Sequence, residues 1–388
     1  MISVDAALAH VLDLADLTSP EDIDLRHAAN RVLAGDIVAT RAQPPFAASA
    51  MDGYAIAGEA GEGSTFRVIG ESAAGTAFPG SVGAGEAARI FTGAPVPKGA
   101  TRVVIQEDVT REGDVITVAA HAETQTYIRA AGQDFAAGDR IEAGQRLTPA
   151  IIALAASMGA ARVRVSRRPV VALIATGNEL VAPGETPTPD QIIASNTYGI
   201  AAALEAEGAE ARILPIARDT RASLAFAFDL ATSADLIVTS GGASVGDHDL
   251  VGPVAAALGM EQSFYKVAMR PGKPLMAGKL SDAAMIGLPG NSVSAMVCGA
   301  VFVAPLLRKM MGLPPERPVL HAPLATALPQ NGPRAHYMRA TWRDGGLAAA
   351  DSQDSSLLTV LARADALLIR PPNDPAREAG DMVDYMPI

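Results

Sequence analysis

The chain has 388 residues and a formal net charge of -11 at pH 7. This length predicts several domains, and the acidic charge argues against nucleic acid and anionic membrane surfaces as partners. One cysteine, Cys298, excludes an intramolecular disulfide and is typical of a reducing compartment. We expect no signal peptide and no membrane-spanning helix, and so we predict a soluble, cytoplasmic protein.

The first predicted element is an amphipathic helix in which Val4, Leu8 and Val11 recur at helical spacing. A second apolar helix, at 148–158, is expected to pack beside it. Between them glycine, proline and threonine become frequent, and short β-rich runs predict a β-rich domain inserted at residues 41–139. The first domain, of helical and linker segments, is then discontinuous and takes residues 1–40 and 140–167.

From residue 168 onward, predicted strands and helices alternate. This alternation predicts a doubly wound, mostly parallel α/β sheet domain over residues 168–316. A small β-rich domain follows at 317–388, so the fold class is multidomain α/β plus β. The alternating segments are strands at 170–174, 212–216, 235–238 and 284–286, and helices at 196–206, 222–231, 251–258 and 292–311.

Two loops rich in small residues follow buried strands of the α/β domain. The first, at 239–249, reads TSGGASVGDHD, and the second, at 287–295, reads GLPGNSVSA. Glycine exposes main-chain N–H groups and a helix start carries unpaired ones, so both loops suit a phosphate-bearing ligand. Either loop taken alone could equally be only a tight turn.

Acidic residues follow several of the predicted strands. Ligands of open parallel sheets bind outside the carboxyl ends of the strands, so we expect these segments to lie on one rim. Glu179, Asp219, Asp247 and Asp249 supply the hard oxygen ligands that Mg²⁺ prefers. Asp219 could instead cap the following helix, Glu179 could be a solvated surface acid, and His248 is more simply an exposed loop histidine.

Three further segments carry polar groups of interest. Arg270 and Lys273, in RPGKP, are cations suited to an oxyanion. In the inserted domain, a long loop of low charge ends near Asp52, and the turn FTGAPVP carries the hydroxyl of Thr92. Residue chemistry alone favours a structural role over a catalytic one for these last two segments.

Seven segments, in their order along the chain, resemble the molybdopterin molybdenumtransferase family, which includes bacterial MoeA and the gephyrin E domain. The resemblance extends over residues near 44 to 312. Seven motifs in order leave little room for chance. They are SAMDGYA at 49–55, FTGAPVP at 91–97, IRAAGQDFAAGD at 128–139, ATGNELV at 175–181, TSGGASVGDHD at 239–249, RPGKP at 270–274 and GLPGNSVSA at 287–295.

The resemblance implies the last step of molybdenum cofactor assembly. Members of the family use molybdate and Mg²⁺ to insert molybdenum into adenylylated molybdopterin, and they release AMP. They are homodimers whose site lies between the α/β domain of one subunit and the inserted domain of the other. Other molybdenum cofactor biosynthesis proteins are further candidate partners.

The resemblance also implies roles for particular residues. Asp52, Thr92, Glu179, Asp219 and Asp249 are implied around the metal, molybdate and substrate, with the last three as metal ligands. Cations implied nearest the oxyanion are Lys273 and Lys279. The other implied substrate-binding residues are Ser240, Gly241, Gly242, Ser244, Gly246, Arg270, Pro289, Gly290, Asn291, Ser292 and Ser294.

One position departs from the family pattern. The family commonly has proline in the place of Ser292. Proline preorganises a helix start, whereas serine restores an N–H donor there. We therefore expect tuning of ligand binding rather than its loss.

Two other functions stay open at this point. An adenylyltransferase that makes the AMP ester resembles the α/β domain alone, and SAMDGYA, FTGAPVP and the tail argue against it. A non-enzymatic scaffold, a role that the gephyrin E domain also has, would not need Glu179, Asp219 and Asp249.

Overall fold

The computed structural model describes residues 1–242, 250–316 and 318–388. A six-stranded sheet forms the centre of the α/β unit. Its first four strands are parallel, the fifth runs antiparallel to them, and the sixth, antiparallel to the fifth, runs in the direction of the first four. In spatial order the strands are Glu210–Ile213, Val170–Ala175, Leu236–Ser240, Ala283–Leu288, Pro274–Leu280 and Glu261–Lys266.

Helices cover both faces of this sheet, and its central strands are therefore buried at every residue. Alternate residues point to opposite faces: Val171 and Leu173 belong to one core cluster, Ala172 and Ile174 to the other. The first face is covered by Val4–Leu12, Asn196–Glu207, Ser292–Cys298, the π-helical turn Gly299–Val303 and Ala304–Met310, and the second by Arg221–Leu230 and Val251–Ala257.

The N-terminal helix packs on the α/β unit and not beside the helix Pro149–Ser157. Its buried residues Ala7 and Val11 share a core cluster with Leu306, whereas Ala155 of the second helix lies in a different cluster with Leu33. The prediction that these two helices pack together is therefore wrong. Helical periodicity identifies an apolar face, but it does not say which surface will cover that face.

Antiparallel strand pairs join the two separate parts of the first domain. The chain leaves this unit after residue 38 and returns to it at residue 140. Thr148 caps the helix Pro149–Ser157 by accepting a hydrogen bond from the Ile151 N–H group. The pairs are Pro20–Asp24 with Arg162–Ser166 and Ile37–Val38 with Arg140–Ile141, and a 3₁₀ turn follows at Leu25–His27.

The inserted unit is a six-stranded β-sheet with a second, short strand pair beside it. The β-rich character predicted for this insertion is therefore present in the structure. In spatial order the sheet contains Arg102–Ile105, Gly53–Ile56, Glu86–Ile90, Thr65–Ser72, Val115–Val118 and Val109–Glu112; the short pair is Ala48–Ser49 with Ile128–Arg129, and Gln106–Asp108 is a 3₁₀ turn.

The C-terminal unit is also a six-stranded sheet, and one of its strands comes from the α/β unit. Met269–Arg270, at the start of the RPGKP segment, pairs in parallel with the strand Ala335–Arg343. The strands Ala335–Arg343 and Gly346–Ala349 pair antiparallel as a hairpin. The other elements are the strands Leu320–Pro323, Ala366–Arg370 and Met382–Pro387 and the short helix Leu358–Leu361.

The helical stretch Ser292–Met310 is long and apolar enough to cross a membrane by length and composition. From the sequence we expected no helix able to span a membrane. In the structure, 78% of its most apolar window is buried inside the protein. We therefore interpret this stretch as the core helix of the α/β unit.

Candidate functional site

A cleft of about 620 Å³ lies where the parallel strands of the α/β unit end. The four polar segments expected on this rim all contribute to it. They are the segment after Val170–Ala175, Asp219, the end of Leu236–Ser240, and the loop after Ala283–Leu288. The lining side chains and glycines include Thr176, Gly177, Glu179, Asp219, Ser240, Gly241, Gly242, Pro289, Gly290, Asn291, Ser292 and Ser294.

The first loop enters the cleft through two glycines with positive φ, Gly241 at 98° and Gly242 at 63°. A Cβ atom on Gly241 would lie 2.6 Å from the carbonyl oxygen of Thr176, and one on Gly242 would lie 2.2 Å from a methyl carbon of Val251. Only glycine therefore fits this path. The rest of the loop, with Ser244, Gly246, Asp247, His248 and Asp249, lies outside the described residues.

Asn196 connects the first loop to the second. Its amide nitrogen donates to the Ser240 hydroxyl at 3.0 Å and to the Gly290 carbonyl at 2.7 Å. Asn196 begins the helix Asn196–Glu207 and lines the cleft. Sequence reasoning missed this residue, because it lies in no glycine-rich loop and carries no charge.

The second loop continues into the core helix at Ser292. The Asn291 amide donates to the Ser355 hydroxyl at 3.0 Å, and the Val293 N–H group donates to the Ser355 carbonyl at 3.3 Å. The C-terminal unit thus contacts the edge of the cleft directly through Ser355. The tail was predicted as a β-rich domain only, with no contribution to the site.

The two described acids of the rim are held by a main-chain network. The Asn178 N–H group donates to the Asp219 carboxylate at 3.2 Å, and the Asp219 N–H group donates to the Asn178 side-chain oxygen at 3.0 Å. Arg218 donates to the Leu180 carbonyl at 2.8 Å and so fixes the segment that carries Glu179. Glu179 itself is exposed to the cleft.

The donor set at the rim fits Mg²⁺. Within 1–242, 250–316 and 318–388, no group of three or more His, Cys, Asp or Glu side chains could hold a metal ion. Mg²⁺, however, is commonly held by one or two carboxylates together with substrate phosphates. Glu179 and Asp219 line the same cleft as the two loops suited to phosphate, which is that arrangement.

An apolar wall also lines the cleft. Leu180–Val181 and Ile192–Ile193 form a short parallel strand pair beside the rim. Ile192 is 58% exposed, an unusual state for a large aliphatic side chain in a polar cleft. This wall suits the planar ring of a ligand whose phosphates lie at the loops.

Lys273 and Lys279 lie towards opposite ends of the sheet. Pro274 lines the cleft, so Lys273 lies beside it. The strand Pro274–Leu280 runs antiparallel to its neighbour, and its far end pairs Lys279 with Ala284, at the start of the parallel strands. Lys279 therefore lies at the end of the sheet opposite this cleft, and its placement near the oxyanion stays a prediction. No strand was predicted at 274–280, so the antiparallel direction of this strand was missed.

Arg270 stands in a cationic cluster with residues of the C-terminal sheet. Its strand pairs it with His336, which is 8% exposed. Burial, aided by the charges of Arg270, Arg339 and neighbouring arginines, lowers the pKa of His336 to about 4. The imidazole is therefore neutral at neutral pH, and within the described part of the chain its buried Nε2 has no hydrogen-bond partner.

Arg339 is the most constrained member of this cluster. The side chain is fully buried, and Nη2 donates to the carbonyls of Ser352 at 3.1 Å and Asp354 at 3.0 Å. Its Nε and Nη1 are buried and have no hydrogen-bond partner among the described residues. Burial lowers the pKa of this guanidinium and the charge of Arg270 lowers it further. Unpaired cationic donors of this kind suit an anion. Sequence reasoning missed Arg339, because burial of an arginine in a strand has no signal in the sequence.

Asp52 and Thr92 form a separate corner of the inserted unit. One Asp52 oxygen accepts hydrogen bonds from the Thr92 N–H and hydroxyl groups, both at 2.7 Å. These two bonds hold the pKa of Asp52 below its ordinary value, with the Arg89 charge as a smaller cause. The structure brings the predicted pair together, but neither residue lines the cleft of its own chain.

Known proteins resemble this chain over nearly its whole length. "Molybdopterin molybdenumtransferase 2" of Mycobacterium tuberculosis (strain ATCC 25618 / H37Rv) is 37% identical over 386 residues, which cover 95% of each chain. The chain belongs to the molybdopterin molybdenumtransferase family. A Haemophilus influenzae member, "Molybdopterin molybdenumtransferase", is 39% identical over 317 residues, covering 80% of this chain and 78% of its own.

Family models match three consecutive parts of the chain. Residues 2–159 match the MoeA N-terminal region (domain I and II), 172–309 the probable molybdopterin binding domain, and 321–388 the MoeA C-terminal region (domain IV). The resemblance predicted from the seven motifs is confirmed. Matches on both sides of the α/β unit also disfavour an adenylyltransferase that resembles the α/β domain alone.

The fold class is confirmed as well. A solved molybdopterin biosynthesis MoeA protein from Pyrococcus horikoshii OT3 superimposes with a TM-score of 0.87 at 26% identity, and each chain is covered completely. A second MoeA structure gives 0.83 at 29% identity, with 100% of this chain and 99% of the other covered. Members of the family thus share this multidomain α/β plus β architecture.

Proposed function

We propose that this protein inserts molybdenum from molybdate into adenylylated molybdopterin and releases AMP, as the last step of molybdenum cofactor assembly. One observation supports the proposal above all. In a single cleft, two loops suited to phosphate and two carboxylates meet, and the cationic cluster of Arg270 and Arg339 is connected to it through the adjacent residues Asp354 and Ser355. Phosphate ester, divalent cation and oxyanion are the three species that this reaction must bring together.

The substrate lies along the rim of the α/β unit in this proposal. Main-chain N–H groups around Gly241 and at the start of the core helix bind its phosphates. The exposed face of Ile192 and Ile193 supports a planar ring. Ser240, Ser292 and Ser294 add hydroxyl donors between these two ends.

Molybdate is bound by the cationic cluster in this proposal. Arg270 and Lys273 are exposed and so can approach a dianion from outside. The buried Nε and Nη1 of Arg339 supply charge-assisted hydrogen bonds from the buried side. Burial keeps His336 neutral, which limits the positive charge that accumulates before the oxyanion arrives.

The acids of the rim have a positioning role. Glu179 and Asp219 would hold Mg²⁺, and we propose Asp249, outside the described residues, as the third ligand. When bound, Mg²⁺ would neutralise the pyrophosphate and polarise its bond to AMP. No protein nucleophile is required, since the chain contributes by keeping ester and oxyanion in register.

A homodimer completes the site in this proposal. Asp52 and Thr92 lie outside the cleft of their own chain, although both belong to motifs that the family shares. We propose that they face the cleft of a second copy. A cytoplasmic setting, the compartment predicted from the acidic chain with one buried cysteine, goes with this proposal, as do contacts with other molybdenum cofactor biosynthesis proteins.

Release of AMP from adenylylated molybdopterin, with and without molybdate and Mg²⁺, tests the reaction directly. We expect release that needs both, with molybdenum retained in the product. Asp219→Ala should lower the rate about 100-fold, because ester and oxyanion lose their register. Asp229→Ala, an exposed acid on the helix Arg221–Leu230, is the matched control and should behave as the wild type.

Two results would contradict the proposal. Tight binding of the ester without AMP release would indicate a scaffold that kept the cleft. Wild-type activity of Asp219→Ala would show that the acids are assigned wrongly.

A further inference from the structure

Arg89 lies next to the Asp52–Thr92 corner, and its guanidinium lies over two aromatic rings. Its guanidinium carbon is 5.1 Å from the centre of the Tyr54 ring and 4.7 Å from the centre of the Phe91 ring. Tyr54 is buried. A planar guanidinium gains cation–π and stacking contacts in this position, which fix the plane of the group.

The edge of the same guanidinium holds the main chain around Asp52. Nη1 donates to the carbonyl of Gly53, the residue after Asp52, at 3.1 Å. Nη2 donates to the Gln106 side-chain oxygen at 2.7 Å. The Gln106 N–H group donates in turn to the Asp52 carbonyl at 3.0 Å. Two branches of one side chain thus hold two successive main-chain carbonyls, those of Asp52 and Gly53.

We propose that Arg89 is a positioning residue, whose stacked, two-branched guanidinium holds the Asp52 carboxylate against Thr92 in the geometry that the reaction needs. The inference deepens the proposed function and rests on the part that Asp52 has there. Arg89 itself touches no described residue of the cleft lining through its hydrogen bonds, which go to Gly53 and Gln106.

Geometry, and not charge, is what Arg89 supplies. The pKa of Asp52 is lowered first by the two hydrogen bonds from Thr92, and the Arg89 charge is the smallest of the causes. A lysine would keep that charge. It could not stack a planar group over the Tyr54 and Phe91 rings, nor donate in two fixed directions. Lysine at this position therefore separates the two roles.

The test compares Arg89→Lys with Arg67→Lys, an exposed arginine of the same sheet with an ion pair to Glu86 at 3.6 Å. We expect kcat to fall about 10-fold in Arg89→Lys, because the carboxylate is misplaced, with little change in KM for the ester. Hydrogen exchange of the peptide 91–97, measured by mass spectrometry, should become about 10-fold faster at the Thr92 amide, since its acceptor is no longer fixed. Arg67→Lys should change neither.

Two further variants keep the test decisive. Gln106→Ala removes one branch and leaves the ring stack, and should lower kcat about threefold even if Arg89→Lys fails to fold. Asp52→Asn should be inactive. An active Asp52→Asn would contradict the proposed function, because Asp52 would then have no part in it.

The inference on Arg89 fails under different results. It is overturned if Asp52→Asn is inactive while Arg89→Lys and Gln106→Ala keep wild-type kcat. A lower melting temperature with unchanged exchange of the Thr92 amide would show a merely structural arginine, and would overturn it too.

Discussion

The cleft of the α/β unit is formed mainly by main chain, whereas the Asp52–Thr92 corner of the inserted unit is formed mainly by side chains. The cleft is shaped by main chain, and a Cβ atom on Gly241 or Gly242 would collide with neighbouring atoms. The corner is made by side chains, with a carboxylate fixed by one threonine and a stacked arginine behind it. A site made by backbone requires particular residues at fixed positions in sequence, whereas a site made by side chains depends on distant partners.

The two regions also differ in completeness. The cleft combines loops, acids and an apolar wall from one unit of one chain. The corner presents a carboxylate whose lowered pKa keeps it charged, but it contributes nothing to that cleft. The proposed homodimer would account for this difference by completing the corner from a second copy of the chain, and the largest expected effect tests that proposal.

Mixing two inactive variants should restore activity. In a mixed dimer of Asp52→Asn and Asp219→Ala, one cleft meets an intact corner and the other site carries both changes. Random exchange of subunits makes half of the dimers mixed, so about a quarter of the wild-type AMP release should return. The measurement is AMP release after subunit exchange, and each variant exchanged with itself is the control. No recovery in isolated mixed dimers would mean that both groups act within one chain.

A smaller effect should follow from loosening the corner alone. Thr92→Val removes one of the two bonds that lower the pKa of Asp52, so that pKa should rise toward its ordinary value. The charged carboxylate would then be lost at a higher pH as the solution is acidified. We expect the acid limb of kcat to move to higher pH by less than about one unit, with little change near neutrality.

Profiles of kcat against pH for Thr92→Val and the wild type make this measurement. Thr117→Val, an exposed threonine of the strand Val115–Val118, is the matched control. If the acid limb of the kcat profile stays in place or moves to lower pH, the titration of Asp52 does not determine that limb.

The contrast between main chain and side chains explains what the sequence could predict. Alternating strands and helices gave the parallel part of the sheet, since the strands Val170–Ala175 and Ala283–Leu288 are buried and apolar throughout. The last two strands of the sheet, Glu261–Lys266 and Pro274–Leu280, which pair antiparallel with each other, were not predicted. The first is polar, and the second begins with proline and contains glycine and lysine, which weaken the signal of a strand.

Domain boundaries stay predictions, because the units share elements. The helix Val4–Leu12 packs on the α/β unit, and Met269–Arg270 joins the C-terminal sheet. That second junction places Arg270 beside His336 and near Arg339, a cluster that arises only when two distant segments meet. No local pattern could have predicted it.

The smallest expected effect concerns Ser292, where the main-chain cleft departs from its family. Asn291 has extended backbone angles, φ -65° and ψ 126°, and Ser292 is the first residue of its helix, so proline fits there without strain. We expect Ser292→Pro to stabilise the fold by about 0.5 kcal/mol and to change the KM for the ester about twofold at most. Melting temperature and KM measure the two effects.

Ser292→Ala, which keeps the N–H group and loses the hydroxyl, is the matched variant. Normal KM in Ser292→Ala together with weak binding in Ser292→Pro would assign a direct ligand contact to the N–H group, against our expectation of tuning. The cleft would then depend on one more main-chain donor than the family commonly offers, which would widen the contrast with a corner built around a side-chain carboxylate.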